Sequence, residues 1–171
     1  MTDDLSSLYN FHRWANERMI AACKALTHEQ FIEIEPFEVG WPSIRSVVVH
    51  LAGVDDVWAR RFLGEIPTKW ITEVDLPTID DAAALLFSAH NRFVHEILPM
   101  YSGDKLLKPW TYTNLKNETF TAPPWAVLRH VVNHGSYHRG QIASKLKRRG
   151  ATPPGTDMVL WAIENTPQNQ L

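Results

Sequence analysis

The sequence predicts an all-α protein, a four-helix bundle with a small β-hairpin between the third and fourth helices and a short closing helix. Three observations carry that prediction. Apolar residues recur at three-and-four spacing in four long stretches. Glycines, prolines and capping residues punctuate the chain between those stretches. One segment alone, LLKPWTYTNLKNETFTAPP, alternates in the manner of strands. The 171 residues suit one domain, 1–171, and contain no repeat, low-complexity run or linker.

The first helix covers residues 3–26, where Leu5, Leu8, Ala15, Met19, Ala22 and Leu26 form a stripe that also takes in His12. Thr27 and the prolines Pro36 and Pro42 bracket a loop. Ser43 is the N-cap of a second helix of about twenty residues, through Ile44, Val47, Leu51, Val54 and Trp58, which Gly64 ends. After Pro67 and Pro77, Thr78 or Asp80 caps a third helix through Leu85, Leu86, Ala89, Phe93 and Ile97 to Pro99. WTYT and ETFT pair as a hairpin around Asn114 to Asn117. Residues 124–149 form the fourth long helix, and PPGTDMVLWAIEN adds the closing one after a turn.

Composition excludes several functions. Apolar residues make up 44% and charged ones 21%, within the range of packed globular proteins. A net charge of −2 and a pI near 6.4 do not provide the broad basic surface that nucleic acid requires. Lys145, Lys147, Arg148 and Arg149 cluster at a helix end, where the dipole favours cations. The single Cys23 allows neither an internal disulfide nor a redox pair, which fits a reducing cytoplasm. It lies beside the first helix's stripe, where a buried thiol is inert. The start MTDDLSSLYNF lacks a signal peptide's basic and apolar regions, and His50 interrupts the longest apolar run, Val47 to Val54. The expectation is a cytoplasmic protein with no membrane partner.

The chemistry concentrates in HVVNHGSYHRGQ, residues 130–141. At about 100° per residue, His134 and His138 lie about 40° apart on a face shared with Val127, Val131 and Ile142. His130 is about 80° from His138 and about 12 Å along the axis, too far to share an ion with it comfortably. A third ligand must then come from another helix, and His50, inside VVVHLAGV, is the candidate. A lone histidine in an apolar helix is commonly a hydrogen-bonded core residue, whereas two adjacent buried imidazoles are both satisfied by one metal.

HRWANERM at 12–19, VVVHLAGVDDVWARRFLG at 47–64, the hairpin region and above all HVVNHGSYHRGQI at 130–142 resemble the DinB/YfiT-like family of metal-binding four-helix proteins. The resemblance runs along nearly the whole chain. It implies an up-down-down-up bundle, a frequent homodimer, and a divalent metal held by His50, His134 and His138. Some isomerase relatives carry a carboxylate where this chain has His134, so a three-histidine site leans towards the thiol-transferase or hydrolase-like members.

Three neutral ligands leave a metal its charge and an open position, the condition for Lewis-acid catalysis. Zinc or nickel is the expected ion, since imidazole suits both. Two chemistries fit: hydrolysis of an ester or amide, and transfer of a low-molecular-weight thiol to an electrophilic small molecule. The resemblance favours the thiol, which in some similar proteins is bacillithiol or mycothiol. A non-enzymatic module in which the metal only fastens two helices is the third reading. His12 is the candidate proton shuttle, against a core histidine bonded to a backbone carbonyl. Arg139 and Gln141 read as a structural clamp, Asp55 and Asp56 as polar-face residues or supports of the site, and Tyr137 as a helix contact or dimer surface.

Overall fold

Side-chain caps set the register of the helices, and the computed structural model describes residues 2–36 and 40–166. Helix α1 is Thr2–Lys24. Thr27 then accepts from the backbone of Gln30 while Gln30 caps it in return, which starts the short helix α2, His28–Ile32. A short helix thus stands within the stretch that the sequence predicts to be a loop, because the reciprocal cap at Thr27 and Gln30 nucleates one. Ser43 and Ser46 form the same reciprocal box at the head of α3, Ile44–Phe62, and Gly64 leaves the helix at φ 84°. Thr78, paired with Asp81, caps α4, Ile79–Arg92.

Helix α4 continues through a π-helical turn, Phe93–Ile97, into the brief α5, Leu98–Met100, and a 3₁₀ turn at Gly103–Leu106 follows. Strands β1, Trp110–Thr113, and β2, Thr119–Ala122, pair antiparallel with Trp110 opposite Ala122. Asn114 Oδ1 accepts from the amides of Lys116 and Glu118, and Asn117 takes the left-handed conformation, closing the hairpin. Trp110 stacks on Phe62 at 4.3 Å, which seats the hairpin on the end of α3. Helix α6 is Pro124–Arg148, with proline in its first turn, and α7 is Met158–Asn165. The chain is therefore mostly helical with one small hairpin. None of the described helices is long and apolar enough to cross a membrane.

The long helices touch in a cycle: α1 against α6 and α4, α3 against α4 and α6. Their buried apolar residues fall into two clusters. One holds Tyr9, Phe62, Phe93 and Leu128; the other holds Met19, Val47, Leu86 and Ile142. Near where the two clusters meet lie buried polar residues, His12 and Asn16 of α1, Asp55 and Asp56 of α3, His90 of α4, His138 and Arg139 of α6, and His12 is in hydrogen-bond reach of Asn16, Asp55 and Arg139. A polar layer thus divides the core.

The basic cluster at the end of α6 does more than complement a dipole. Glu35, in the segment after α2, accepts from Lys145 at 3.1 Å, from Arg148 at 2.6 Å and from Arg149. Partial burial of Glu35 opposes ionisation, but the hydrogen bonds from these cations win and bring its pKa down to about 2. This tie fastens Glu35, just after α2, to the end of α6.

Candidate metal centre

Three imidazoles, His50 from α3 and His134 and His138 from α6, meet in the polar layer with one nitrogen of each within 4.8 Å of the others. The Nε2 atoms of His50 and His134 are 3.1 Å apart. Two nitrogens each about 2.0–2.1 Å from one ion stand at about that separation, so the pair is spaced as ligands are. The ring centroids of His138 lie 4.6 Å from His50 and 4.3 Å from His134. His130 stands 5.8 Å from His134 ring to ring, makes an edge contact with Trp58, and does not join the group.

The neighbours of the three rings suit neutral ligands. Burial, and then the nearby His138, lowers the pKa of His50 to about 4; burial, and then the other histidines, lowers that of His134 to about 3. His138 is also lowered by burial, with the Gln141 side chain acting in the opposite sense. Its Nδ1 donates to Gln141 Oε1 at 2.7 Å, leaving Nε2 bare and fixing the ring's rotation. Trp41 stacks on His50 with centroids 3.9 Å apart. A buried nitrogen, His134 Nδ1, has no hydrogen-bond partner among the described residues. Three neutral nitrogen donors without a carboxylate fit zinc or another imidazole-preferring divalent ion better than a hard cation such as calcium.

His12 lies elsewhere in the same layer. Its Nε2 is 2.9 Å from Asp55 Oδ2, its Nδ1 is 3.2 Å from Arg139 Nη1, and Asn16 Nδ2 lies 3.1 Å from Nε2. Arginine can only donate, so Nδ1 accepts and Nε2–H donates to the carboxylate. The partner is thus a side-chain carboxylate, not the backbone carbonyl of the core-histidine reading. Both ring nitrogens are engaged, which removes His12 from the open face of the three imidazoles. Arg139 also donates to Asn16 Oδ1 at 2.9 Å and to Ser136 Oγ at 2.8 Å, and so is the clamp between α1 and α6. Gly135 makes the close approach possible: a Cβ there would stand 2.3 Å from His12 Cε1.

A cavity of about 680 Å³ opens beside His50, walled mainly by Trp41, Val49, Trp70, Ile71 and Val74. Of the three histidines only His50 lines it, so a small apolar molecule seated there would reach the cluster from the His50 side. Sequence reasoning missed Trp41 as part of this wall, although its place two residues before the Ser43 cap holds it close to α3. It also read Gln141 only as a clamp. The i, i+3 spacing to His138 was the available signal. Cys23 is buried, and burial pushes its thiol up to about 12, so it is inert as expected. Tyr137 is exposed, edge-on to His138 at 5.1 Å.

Comparison with known proteins agrees with the geometry. A family model described as the DinB family matches residues 1–169. The chain is 27% identical over 168 residues to the "Protein DinB" of Bacillus subtilis (strain 168), covering 94% of this chain and 95% of that one. Together with a three-histidine cluster drawn from two helices, this extent of match establishes that the chain belongs to the DinB family.

Proposed function

We propose that this protein is a metal-dependent enzyme that transfers a low-molecular-weight thiol to an electrophilic small molecule. The observation that carries the reading is the convergence of three imidazole nitrogens from two helices beside a large apolar cavity. The reaction forms a sulfur–carbon bond, breaks the bond from that carbon to its leaving group, and passes the thiol proton to the leaving group. A divalent ion, zinc or nickel, would supply Lewis acidity that lowers the pKa of a thiol or water. His50, His134 and His138 would hold it.

The chain's own residues do the rest. Gln141 orients His138, Trp41 covers one face of His50, and the His12–Asp55–Arg139 network positions α6 against α1 and α3. Trp41 and Trp70 offer the electrophile a flat apolar wall and keep water from it. His12 is a positioning residue in this scheme. The contact cycle of the long helices supports reading the fold as a four-helix bundle, and the up-down-down-up order is what membership of the family implies for it. Exposed Val159 and Ile163 on α7 give a homodimer a surface.

Metal analysis of untagged protein, followed by thiol-conjugation assays with a panel of low-molecular-weight thiols and electrophiles, tests the proposal. Turnover that is lost on chelation and restored by zinc or nickel supports it. Hydrolysis of an ester or amide panel without thiol dependence would replace it with the hydrolase reading. A melting temperature that falls on chelation, with no turnover in either panel, would leave a metal-fastened binding module.

A further inference from the structure

The face of α3 that carries His50 carries a second chemical feature. Arg61 follows by eleven residues, which returns it to within about 20° of His50 and about 16 Å further along the axis. It is only 8% exposed, yet its Nε is buried without a hydrogen-bond partner, and none of the described carboxylates pairs with it. Other arginines on or against α3 are paired: Arg60 with Glu65, Arg92 with Asp56. The guanidinium lies over Trp58 at 4.7 Å and over Tyr112 at 5.3 Å. Its position in the last turn of α3 is favourable to a cation, but the helix dipole fills none of its five donors.

That guanidinium lines a cleft of about 320 Å³ with Trp58, Trp70, Tyr112, Lys116 and Phe120. Trp70 is also a wall of the cavity beside His50, so cleft and cavity adjoin. Trp58 and Tyr112 continue into a smaller recess that reaches His130, one turn from His134. An oxyanion is the natural partner of an arginine that has no carboxylate partner among the described residues, whose buried Nε is unpaired and whose flanks are aromatic, because it accepts from the fork in a site from which water is partly excluded. The aromatic walls suit the apolar stretch between that charge and the reacting atom.

We propose that Arg61, supported by Lys116, is an anion subsite that binds the carboxylate or phosphate end of an elongated substrate whose reacting end lies at His50, His134 and His138. The inference rests on the enzymatic reading above only in naming the substrate class. The subsite itself is a matter of binding and is measured without turnover.

The probes are 4-phenylbutyrate, 4-phenylbutyl phosphate and the neutral 4-phenylbutanamide, titrated calorimetrically into both metal-free and zinc-loaded protein. At least one anion binds about ten-fold or more tightly than the amide, as a charge-assisted hydrogen bond predicts, and which anion wins assigns the oxyanion. The preference shrinks with added salt. Arg61→Gln abolishes it, Arg61→Lys retains part of it, and Lys116→Ala weakens it by a few-fold. Because Arg61 is buried, the arginine side-chain Nε–H resonance of the wild-type protein supplies a second readout that needs no variant. It shifts with the anions and not with the amide. Equal affinity for all three probes, or an Arg61 resonance indifferent to the anions, overturns the subsite. Anion preference without thiol transfer would sink only the catalytic reading, and turnover of neutral substrates without anion preference only the subsite.

Discussion

Two glycines in α6, five residues apart, should respond to alanine in opposite directions. At Gly135 the new Cβ would stand 2.3 Å from His12 Cε1, 2.8 Å from its Nδ1 and 3.0 Å from Arg139 Nη1. Ordinary carbon contact begins near 3.5 Å, so His12 must withdraw by about 1 Å. Its bonds to Asp55 and Arg139 are 2.9 and 3.2 Å long, and a shift of that size carries at least one of them past the limit of about 3.5 Å. Overpacking of this kind costs about 1–3 kcal/mol, and a buried polar group left unpaired adds about 1–3 kcal/mol. The gain in helix propensity returns about 1 kcal/mol. The balance is a loss of about 3 kcal/mol, and for a domain of this size a fall of about 6–12 °C in Tm. Gly140 is exposed and an added Cβ meets nothing within 4 Å. Gly140→Ala therefore raises Tm by about 1–4 °C through propensity alone. Thermal unfolding of both variants, followed by circular dichroism on metal-free protein, makes the comparison. A Gly135→Ala protein that melts at or above the wild type would refute the claim that the closeness of α1 and α6 depends on a missing side chain.

Gln141→Ala should lower metal affinity by about 10–100-fold, the usual effect of removing a ligand's support, while Gln141→Glu keeps an acceptor for His138 and retains most of it; competition with a chromogenic chelator reads both. Individual alanine substitutions of His50, His134 and His138 should each reduce bound metal below stoichiometric, whereas His130→Ala should leave it unchanged by elemental analysis. The metal-free protein should lose stability as pH falls. With folded-state pKa values near 4 and 3 for His50 and His134 against an unfolded value of about 6.5, the unfolded chain takes up protons first, so stability is full above about 6.5 and declines below it. Urea midpoints in His50→Gln should show a flatter slope between those pH values. Glu35→Gln should remove a separate loss in the acid range between its unfolded value near 4.5 and about 2, where the wild-type carboxylate gives up its ties to Arg149, Arg148 and Lys145.

Local signals carried most of the fold. Ser43 and Thr78 cap their helices because the cap bond closes within three residues, a range that sequence alone describes. Thr27 with Gln30 obeys the same rule, but five residues leave too short a stripe to be recognised as a helix. The π-helical turn at Phe93–Ile97 left no mark in the apolar spacing of that helix.

The site was legible where one helix face decided it. His134 and His138 follow from the wheel. His50 sits on the flank of its own stripe, and its role depends on α6 packing against that flank, which no periodicity within α3 reports. Asp55 points about 140° away from His50 around α3, so it meets α1 and finds His12 there, a pairing across 43 residues that only the tertiary arrangement creates. Arg61 was hidden for the opposite reason: a cation in the last turn of a helix is common, and what sets it apart, an unpaired buried Nε with no carboxylate partner among the described residues, depends on the tertiary surroundings.

The polar layer that splits the interior bears on how the molecule comes apart. Hydrocarbon above and below it forms two separate half-cores, joined at mid-height by a handful of directional bonds rather than by continuous dispersion contacts. Cooperativity must cross that seam. A cation held between α3 and α6 by His50, His134 and His138 would act as a rivet, and stripping it away should let the two ends fray on their own schedules. A calorimetric enthalpy exceeding the van't Hoff value would be the signature.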